Sequence, residues 1–431
     1  MMFSHARIKL ASNHPHRPYL QGKMAAQAPM ITLPDIHAAL ARIRANIRVS
    51  PCPRSETFSA LTQSSVLLKL DNQQRTGAFK ERGALNKLLM LTDEERGHGV
   101  IAASAGNHAQ GVAYHAGRHS IKARIFMPLP TPLTKVSATR AYGAEVVLDG
   151  ANYDEAFAKA VENGRENHLT LIHAFDDDAI IAGQGTLGLE IVEQHPDIEA
   201  VVVPIGGGGL IGGIACAIKE TNPAVKIFGV QPARLPSMKA AVAEGKPVVL
   251  NSATTIADGI AVRRAGDRTL PMVQKYVDDI VTVEEEEIAN AILLLLEREK
   301  TLAEGAGAAA LAAVLNRKLP LAGKRVAVLV CGGNIDVTLL ARIIERGLVK
   351  DGRLVRLRVH LPDYPGALHR LTGILAEKRA NIVETAYDRA YHGVNLGDTA
   401  IDVTLETRGP EHIAELLLAL EAAGYTHQRI L

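Results

Sequence analysis

AVVVPIGGGGLIGGIACAI, residues 200–218, sets three unlike segments in direct succession. Val201, Val202 and Val203 form an unbroken β-branched run, the composition of a strand buried on both faces, and such strands belong to parallel sheets. Gly206, Gly207, Gly208, Gly209 and Leu210 follow, and then a stretch of helical spacing over 211–218. Strand, glycine loop and helix in that order make the unit of an open α/β sheet, which binds ligands outside the carboxyl ends of its strands. Consecutive glycines let the backbone bend around an anion and offer it bare N–H groups. The loop lacks the Lys-Ser/Thr ending of GxxxxGK[ST], and its spacing departs from GxGxxG. A single small phosphate is the guest it fits; a flexible turn is the plainer alternative.

The same alternation runs through most of the chain. Short apolar runs at 65–70, 99–103, 123–127, 145–148, 226–230 and 325–330 each lead through Gly, Pro, Ser or Asn into an amphipathic stretch. This predicts parallel sheet with crossover helices. A helix is expected before them over 33–47, from the spacing of Ile36, Leu40, Ile43 and Ile47. The pattern changes after Arg346. Residues 347–352 read as a linker, and beyond it Val355, Leu357, Val359 and Leu361 alternate with Arg356, Arg358 and His360. Helix, two strands, helix and a last strand over 426–431 complete a small ferredoxin-like unit over 353–431. The expected division is therefore a poorly patterned, disordered tail (1–30), an α/β body (31–346), the linker, and this unit.

Composition narrows the function classes. A chain of 431 residues has room for two or three structural units. Basic residues exceed acidic ones by only 48 − 46 = 2, Trp is absent and aromatics are few, so nucleic acid is not an expected partner. Cys52, Cys216 and Cys331 are too few and too scattered for a disulfide framework or a zinc knuckle, which fits a reducing compartment, the cytoplasm. No apolar run approaches the ~18–20 residues of a membrane span. The first residues carry no apolar core of a secretory signal, and Met24 is an alternative start, since regular patterning begins only after it.

Three further blocks carry chemistry. In LLKLDNQQRTGAFKERGALNKLL, residues 67–89, a strand runs through a polar turn into a helix beginning near Ala78, with Lys80 in its first turn. The positive end of a helix dipole disfavours a cation and lowers a lysine pKa, which suits Schiff-base chemistry; an exposed first-turn lysine is the bland alternative. Ser104, Ala105, Gly106, Asn107 and His108 open a helix directly after a strand, a ready cradle for a carboxylate. Asn107 offers a neutral hydrogen bond to a cofactor hydroxyl, and His108 reads more readily as a structural hydrogen-bonder than as a base. Cys331 ends the strand at 326–330 and faces the ligand crevice, or is simply a small buried thiol. Glu304 either lines the site or caps the alanine-rich helix that follows it. No metal site is expected.

Taken together, TGAFKERGA, SAGNHAQG, GGGGL, ADGIAV (257–262), EGAGAAALAA (304–313) and CGGNID resemble the threonine dehydratases (threonine ammonia-lyases) of the second pyridoxal-phosphate fold type, in family order over 33–346. LPDYPGAL (361–368) resembles an ACT domain, an amino-acid-sensing module. The resemblance implies two-lobed parallel sheets of the tryptophan-synthase-β kind, and pyridoxal 5'-phosphate held covalently by Lys80 with Phe79 beside the ring. It implies that Gly206, Gly207, Gly208, Gly209 and Leu210 bind the phosphate, that Asn107 bonds the ring hydroxyl and that Cys331 faces the pyridine nitrogen. Ser104 through His108 would cradle the substrate carboxylate. The implied reaction converts L-threonine, and L-serine, to a 2-oxo acid and ammonia. Lys80 takes the α-proton, the β-hydroxyl leaves, and the neutral thiol favours elimination over transamination or racemisation. The resemblance also implies a homo-oligomer and an amino-acid effector, with isoleucine the first candidate.

Two positions depart from relatives of this fold. Ala105 stands where serine racemases carry a serine, and Gln231 where cation-binding relatives carry a glutamate, so racemisation and a divalent site are not expected. Other readings stay open: hydroxyaspartate dehydratase, serine racemase, a β-replacement enzyme, or a non-catalytic sensor. A sensor predicts loss of the lysine or the glycine loop, and both are intact.

Overall fold

In the computed structural model, which describes residues 30–388 and 397–430, the strands sort into three sheets. The first is entirely parallel, in the order β1 (Ser65–Leu70), β9 (Arg325–Val330), β6 (Ala200–Pro204), β7 (Lys226–Pro232) and β8 (Asp279–Val283). The second is also parallel: β4 (Glu145–Leu148), β3 (Ala123–Met127), β2 (Val100–Ala103) and β5 (Thr170–Leu171). The third is antiparallel: β11 (Asn381–Asp388), β12 (Asp398–Glu406), β10 (Leu354–Pro362) and β13 (His427–Ile430). The disordered stretch expected over residues 1–30 lies outside the described residues but for Met30, as does the last residue of the expected final strand.

Why the first sheet forms is visible in its side chains. Val201, Val203, Ala327 and Leu329 pack on one face with the helices Asp178–Gln194 and Gly209–Thr221. Val202, Val326, Val328 and Val330 pack on the other with the helices Glu285–Glu299 and Gly305–Leu315. Both parities are apolar because both faces are covered. The alanine run becomes Gly305–Leu315, a helix buried all round, as expected of one with no polar face.

Three expectations shift. The first helix stops at Ile43 (Leu33–Ile43), so Ile47 lies beyond it. β5 and β8 were not expected: one has two residues, and the other spells Asp-Ile-Val-Thr-Val, whose polar alternation hides it among its neighbours. The linker over 347–352 is largely helix, because Val337–Lys350 runs through it. Gly347 is not a breaker there; a Cβ at that position would collide with Leu293 of the helix Glu285–Glu299. The chain thus passes from the first sheet's last strand to β10 along a nearly continuous rod.

A charged residue in β1 breaks the apolar rule. Lys69 of β1 points to the same face as Leu67, fully buried, and donates to Glu190 at 2.6 Å and to the Ser50 carbonyl at 2.8 Å. Arg82 completes the cluster with a fork on Asp71 (2.8 and 2.9 Å) and a bond to Glu190 (2.6 Å). The four charged side chains are at most 4% exposed and sum to zero. Burial alone would raise Asp71, but the Arg82 guanidinium, with Gln74 and Lys69, outweighs it and holds the carboxyl below the usual range. Charges taken out of water in this way require paired, fully hydrogen-bonded partners. The cluster fastens the helix Lys80–Leu89 to β1 and to Asp178–Gln194.

Candidate active site

Four helix N-termini meet at the carboxyl ends of the two parallel sheets: Lys80–Leu89, Asn107–Arg118, Gly209–Thr221 and Gly305–Leu315. Their exposed N–H groups and dipoles favour anions there. Lys80, Ser104 to Asn107, His173 to Asp176, Gly206 and Gly333 to Asn334 are all half-buried, and contacts of Lys80 with Ala174, of Gly207 with Phe175 and of Asn107 with Asn334 gather them around one cleft. The lysine, the glycine loop, the Ser104–His108 turn and the Cys331 loop are thus brought to one place.

Lys80 is the first helical residue, after Phe79 as N-cap, and its amine donates to the Ala174 carbonyl at 2.7 Å. Burial pushes its pKa down to about 8, against the opposing pull of Cys331 and Glu304. Phe79 packs against the large core, with its ring centroid 5.2 Å from the Lys80 amine. Its N–H donates to the Cys331 carbonyl at 3.0 Å, which ties the lysine turn to the end of β9.

In the glycine loop, Gly208 has φ +99°, a left-handed conformation costly for other residues, and it N-caps the helix Gly209–Thr221. Gly207 is glycine for a second reason: the ring of Phe175 occupies the space a Cβ would fill. Leu210 is buried in the first turn of that helix.

The Ser104–His108 turn is braced from behind. The Ser104 hydroxyl accepts from Gly106 N–H at 3.1 Å, and Ala105 packs on the second sheet's core. His108 is buried, with Nε2 2.8 Å from the Ile172 carbonyl. Burial, with Lys80 nearby, pushes its pKa down to about 3, so it is a neutral donor to that carbonyl.

The Cys331 thiol is 2% exposed, 3.7 Å from the Ala306 carbonyl, and burial raises it well above the ordinary thiol range, so it is neutral. Glu304 is the N-cap of Gly305–Leu315 by position, yet its side chain makes no capping bond. It turns into the cleft and accepts from Asn107 Nδ2 at 2.6 Å. Of the two readings the sequence allowed, it lines the site. Burial, reinforced by Asp258, lifts its pKa to about 7. Gln231 is fully buried, with Oε1 accepting from Lys239 N–H at 2.9 Å.

Nothing in the sequence pointed to His173, Ala174, Phe175 and Asp176. His173 Nδ1 accepts N–H bonds from Phe175 and Asp176 at 3.2 and 2.8 Å, which requires a neutral ring. Asp176 in turn accepts from the N–H groups of Asp267 and Arg268 at 3.0 and 2.9 Å. The only local signal was Asp177, the N-cap of the helix Asp178–Gln194.

Among the described residues no helix is long and apolar enough to cross a membrane. The chain is 48% identical to an L-threonine ammonia-lyase of Thermotoga maritima, over 92% of this chain and 98% of that protein. The crystal structure of a T.th. threonine deaminase superposes with a TM-score of 0.67 at 40% identity, covering 71% of this chain and 99% of the other. Maize serine racemase superposes with a TM-score of 0.70 at 34% identity, over 75% and 99% of the two chains. Residues 43–332 match the family described as "Pyridoxal-phosphate dependent enzyme". With its lysine, glycine loop and neutral thiol gathered at the ends of parallel strands, this chain belongs to the pyridoxal-phosphate dependent enzymes.

Proposed function

We propose that this protein deaminates L-threonine to 2-oxobutanoate and ammonia, and L-serine to pyruvate, with pyridoxal phosphate held on Lys80. One observation carries the reading. A lysine amine with a pKa lowered to about 8 donates to the Ala174 carbonyl, next to the Phe175 ring that packs on the glycine loop, in a chain 48% identical, nearly end to end, to a threonine ammonia-lyase.

The residues fit the cofactor by their own chemistry. Lys80 supplies the nucleophilic amine. Gly206, Gly207, Gly208, Gly209 and Leu210 supply N–H groups for a phosphate. Cys331 would meet a pyridine nitrogen without ionising, Asn107 would bond the ring hydroxyl, and Phe79 would lie beside the ring. When bound, the cofactor supplies an electron sink that makes the substrate's α-proton removable. The backbone of Ser104, Ala105, Gly106, Asn107 and His108 holds the substrate carboxylate at a helix N-terminus. Lys80 Nζ, in its neutral form, would take the substrate's α-proton. His108 serves as a strut and does not titrate near neutrality.

Turnover of L-threonine, L-serine and L-threo-3-hydroxyaspartate, followed by ammonia and 2-oxo acid release, tests this directly. Threonine is expected to be the best of the three; a clear preference for hydroxyaspartate would sink the assignment. Conversion of L- to D-serine is expected to be weak, because Ala105 has no hydroxyl to protonate the opposite face.

The depressed Lys80 pKa has a sign that can be checked. Only the neutral amine attacks an aldehyde, so cofactor uptake by the apoprotein should accelerate as pH rises toward about 8 and then level off. A rate that keeps climbing to the ordinary lysine value of ~10.4 would show that burial does not act on this amine.

The C-terminal unit supports a second role. Its strand–helix–strand–strand–helix–strand order and sheet fit an ACT-like regulatory module, with the turn Asp363-Tyr364-Pro365-Gly366 at the end of β10. We assign residues 353–431 to amino-acid sensing in a cytoplasmic homo-oligomer, on the family resemblance. Isoleucine or valine should then shift threonine affinity or rate, and truncation after Arg346 should abolish the shift; unchanged kinetics in both tests would remove the role.

A further inference from the structure

A line of hydrogen bonds joins Thr76, Asn334, Asn107 and Glu304. It starts at the Thr76 carbonyl, four residues before Lys80. Asn334 Nδ2 donates to that carbonyl at 2.9 Å and also to Asn107 Oδ1. Asn107 Nδ2 then donates to Glu304 Oε1 at 2.6 Å. We propose that Asn334 and Glu304 are positioning residues that lock the Asn107 amide in one orientation, reserving its second Nδ2 hydrogen for the ring oxygen of the cofactor.

The polarity of the line follows from its first member. A backbone carbonyl only accepts, so Asn334 must present its NH2 group to Thr76. The same NH2 group then faces Asn107, which must answer with its oxygen. That places the Asn107 NH2 group against Glu304. A flipped Asn107 would set NH2 against NH2 on one side and oxygen against a carboxyl oxygen on the other. The bond to Asn334 would become a repulsive contact in every state, and the one to Glu304 would as well whenever its carboxyl is ionised.

The choice of residue at 304 suits the same end. Its carboxyl is 4% exposed and its pKa is lifted to about 7, so it accepts the bond without always holding a full negative charge near Lys80. Space is reserved for it as well, since a Cβ on Gly332 would overlap Glu304 Oε1. The line also crosses the cleft. Asn107 follows β2 of the second sheet, while Asn334 follows β9 of the first.

The inference rests on the cofactor reading above, and the test separates the two. The pH titration of the visible absorption band of the bound cofactor is recorded for the full-length holoenzyme and for Asn334→Ala, Glu304→Leu and Glu304→Gln. Losing one hydrogen bond to the ring oxygen should move the titration by about tenfold in proton concentration. Asn334→Ala and Glu304→Leu should both show that displacement at normal cofactor content. Glu304→Gln, whose amide oxygen still accepts from Asn107, should titrate like wild type. Wild-type titration in all three variants would overturn the proposal. So would a Glu304→Gln curve displaced as far as that of Glu304→Leu, because charge rather than orientation would then be the cause. Should Glu304→Leu fail to fold, Asn334→Ala decides alone. A wild-type protein with no visible band would overturn the cofactor reading itself.

Discussion

Lys80→Ala protein should fold normally and release ammonia and 2-oxo acid from L-threonine at least ~10³-fold more slowly than wild type, since both covalent attachment and the base are lost. It should also lose the visible absorption of the attached cofactor. Compared cofactor-free with cofactor-free wild type, its thermal stability should be unchanged or slightly raised: a cation at a helix N-terminus is disfavoured by ~0.3–1 kcal/mol, and burial already pushes this one toward neutrality. Calorimetry and a coupled 2-oxo acid assay on the same preparation check both halves. Turnover close to wild type would show that another group takes the α-proton.

Arg82→Met should have the largest effect on stability. It keeps the side chain's bulk but leaves Asp71 and Glu190 facing only Lys69, a buried excess of one negative charge. Removing one partner from a buried ion cluster typically costs ~3–5 kcal/mol. That is a large part of an ordinary domain's stability, and denaturant unfolding will read it directly. Wild-type Asp71 titrates below its ordinary range because Arg82, with Gln74 and Lys69, overcomes the burial penalty. A depressed acid adds stability above its unfolded value of ~3.9 and loses it as pH falls through the lower folded value. Without Arg82 only Gln74 and Lys69 oppose the burial penalty, and Asp71 should rise. An acid raised in the folded state gains stability as pH falls, so Arg82→Met should lose the Asp71-linked part of the acid limb, and its cost should be largest near neutrality and shrink toward low pH. A cost that stays the same from neutral to acid pH would mean that Arg82 does not govern Asp71.

Much of this architecture was legible in the sequence because it rests on local patterns. Val201 to Val203 could only be a strand covered on both sides, and the glycines after it had to turn into a helix. The lysine, Asn107 and Cys331 each followed such a strand, so the fold itself predicted that they would share a cleft. What was hidden depends on contacts between distant segments. Lys69 looked like one polar residue in an apolar strand, and nothing nearby announced Glu190 as its partner. Glu304 was evenly balanced between cap and site, because the deciding group, Asn107, lies 197 residues away. The His173–Asp176 segment follows a strand too short to register as one. Gly347 resembled a linker because the need for it comes from Leu293 on a neighbouring helix.

The charge cluster also bears on how the chain is made. Lys69, Asp71 and Arg82 leave the ribosome together with a surplus of one positive charge, and their fourth member, Glu190, comes 108 residues after Arg82. At ~5–20 residues per second the three wait roughly 5–20 s for it. Until then the cluster cannot leave water without an unpaired cation, so the lysine-bearing helix has no permanent seat on the nascent first sheet. The enzyme's reactive amine is therefore set in place only after the whole second lobe has been synthesised.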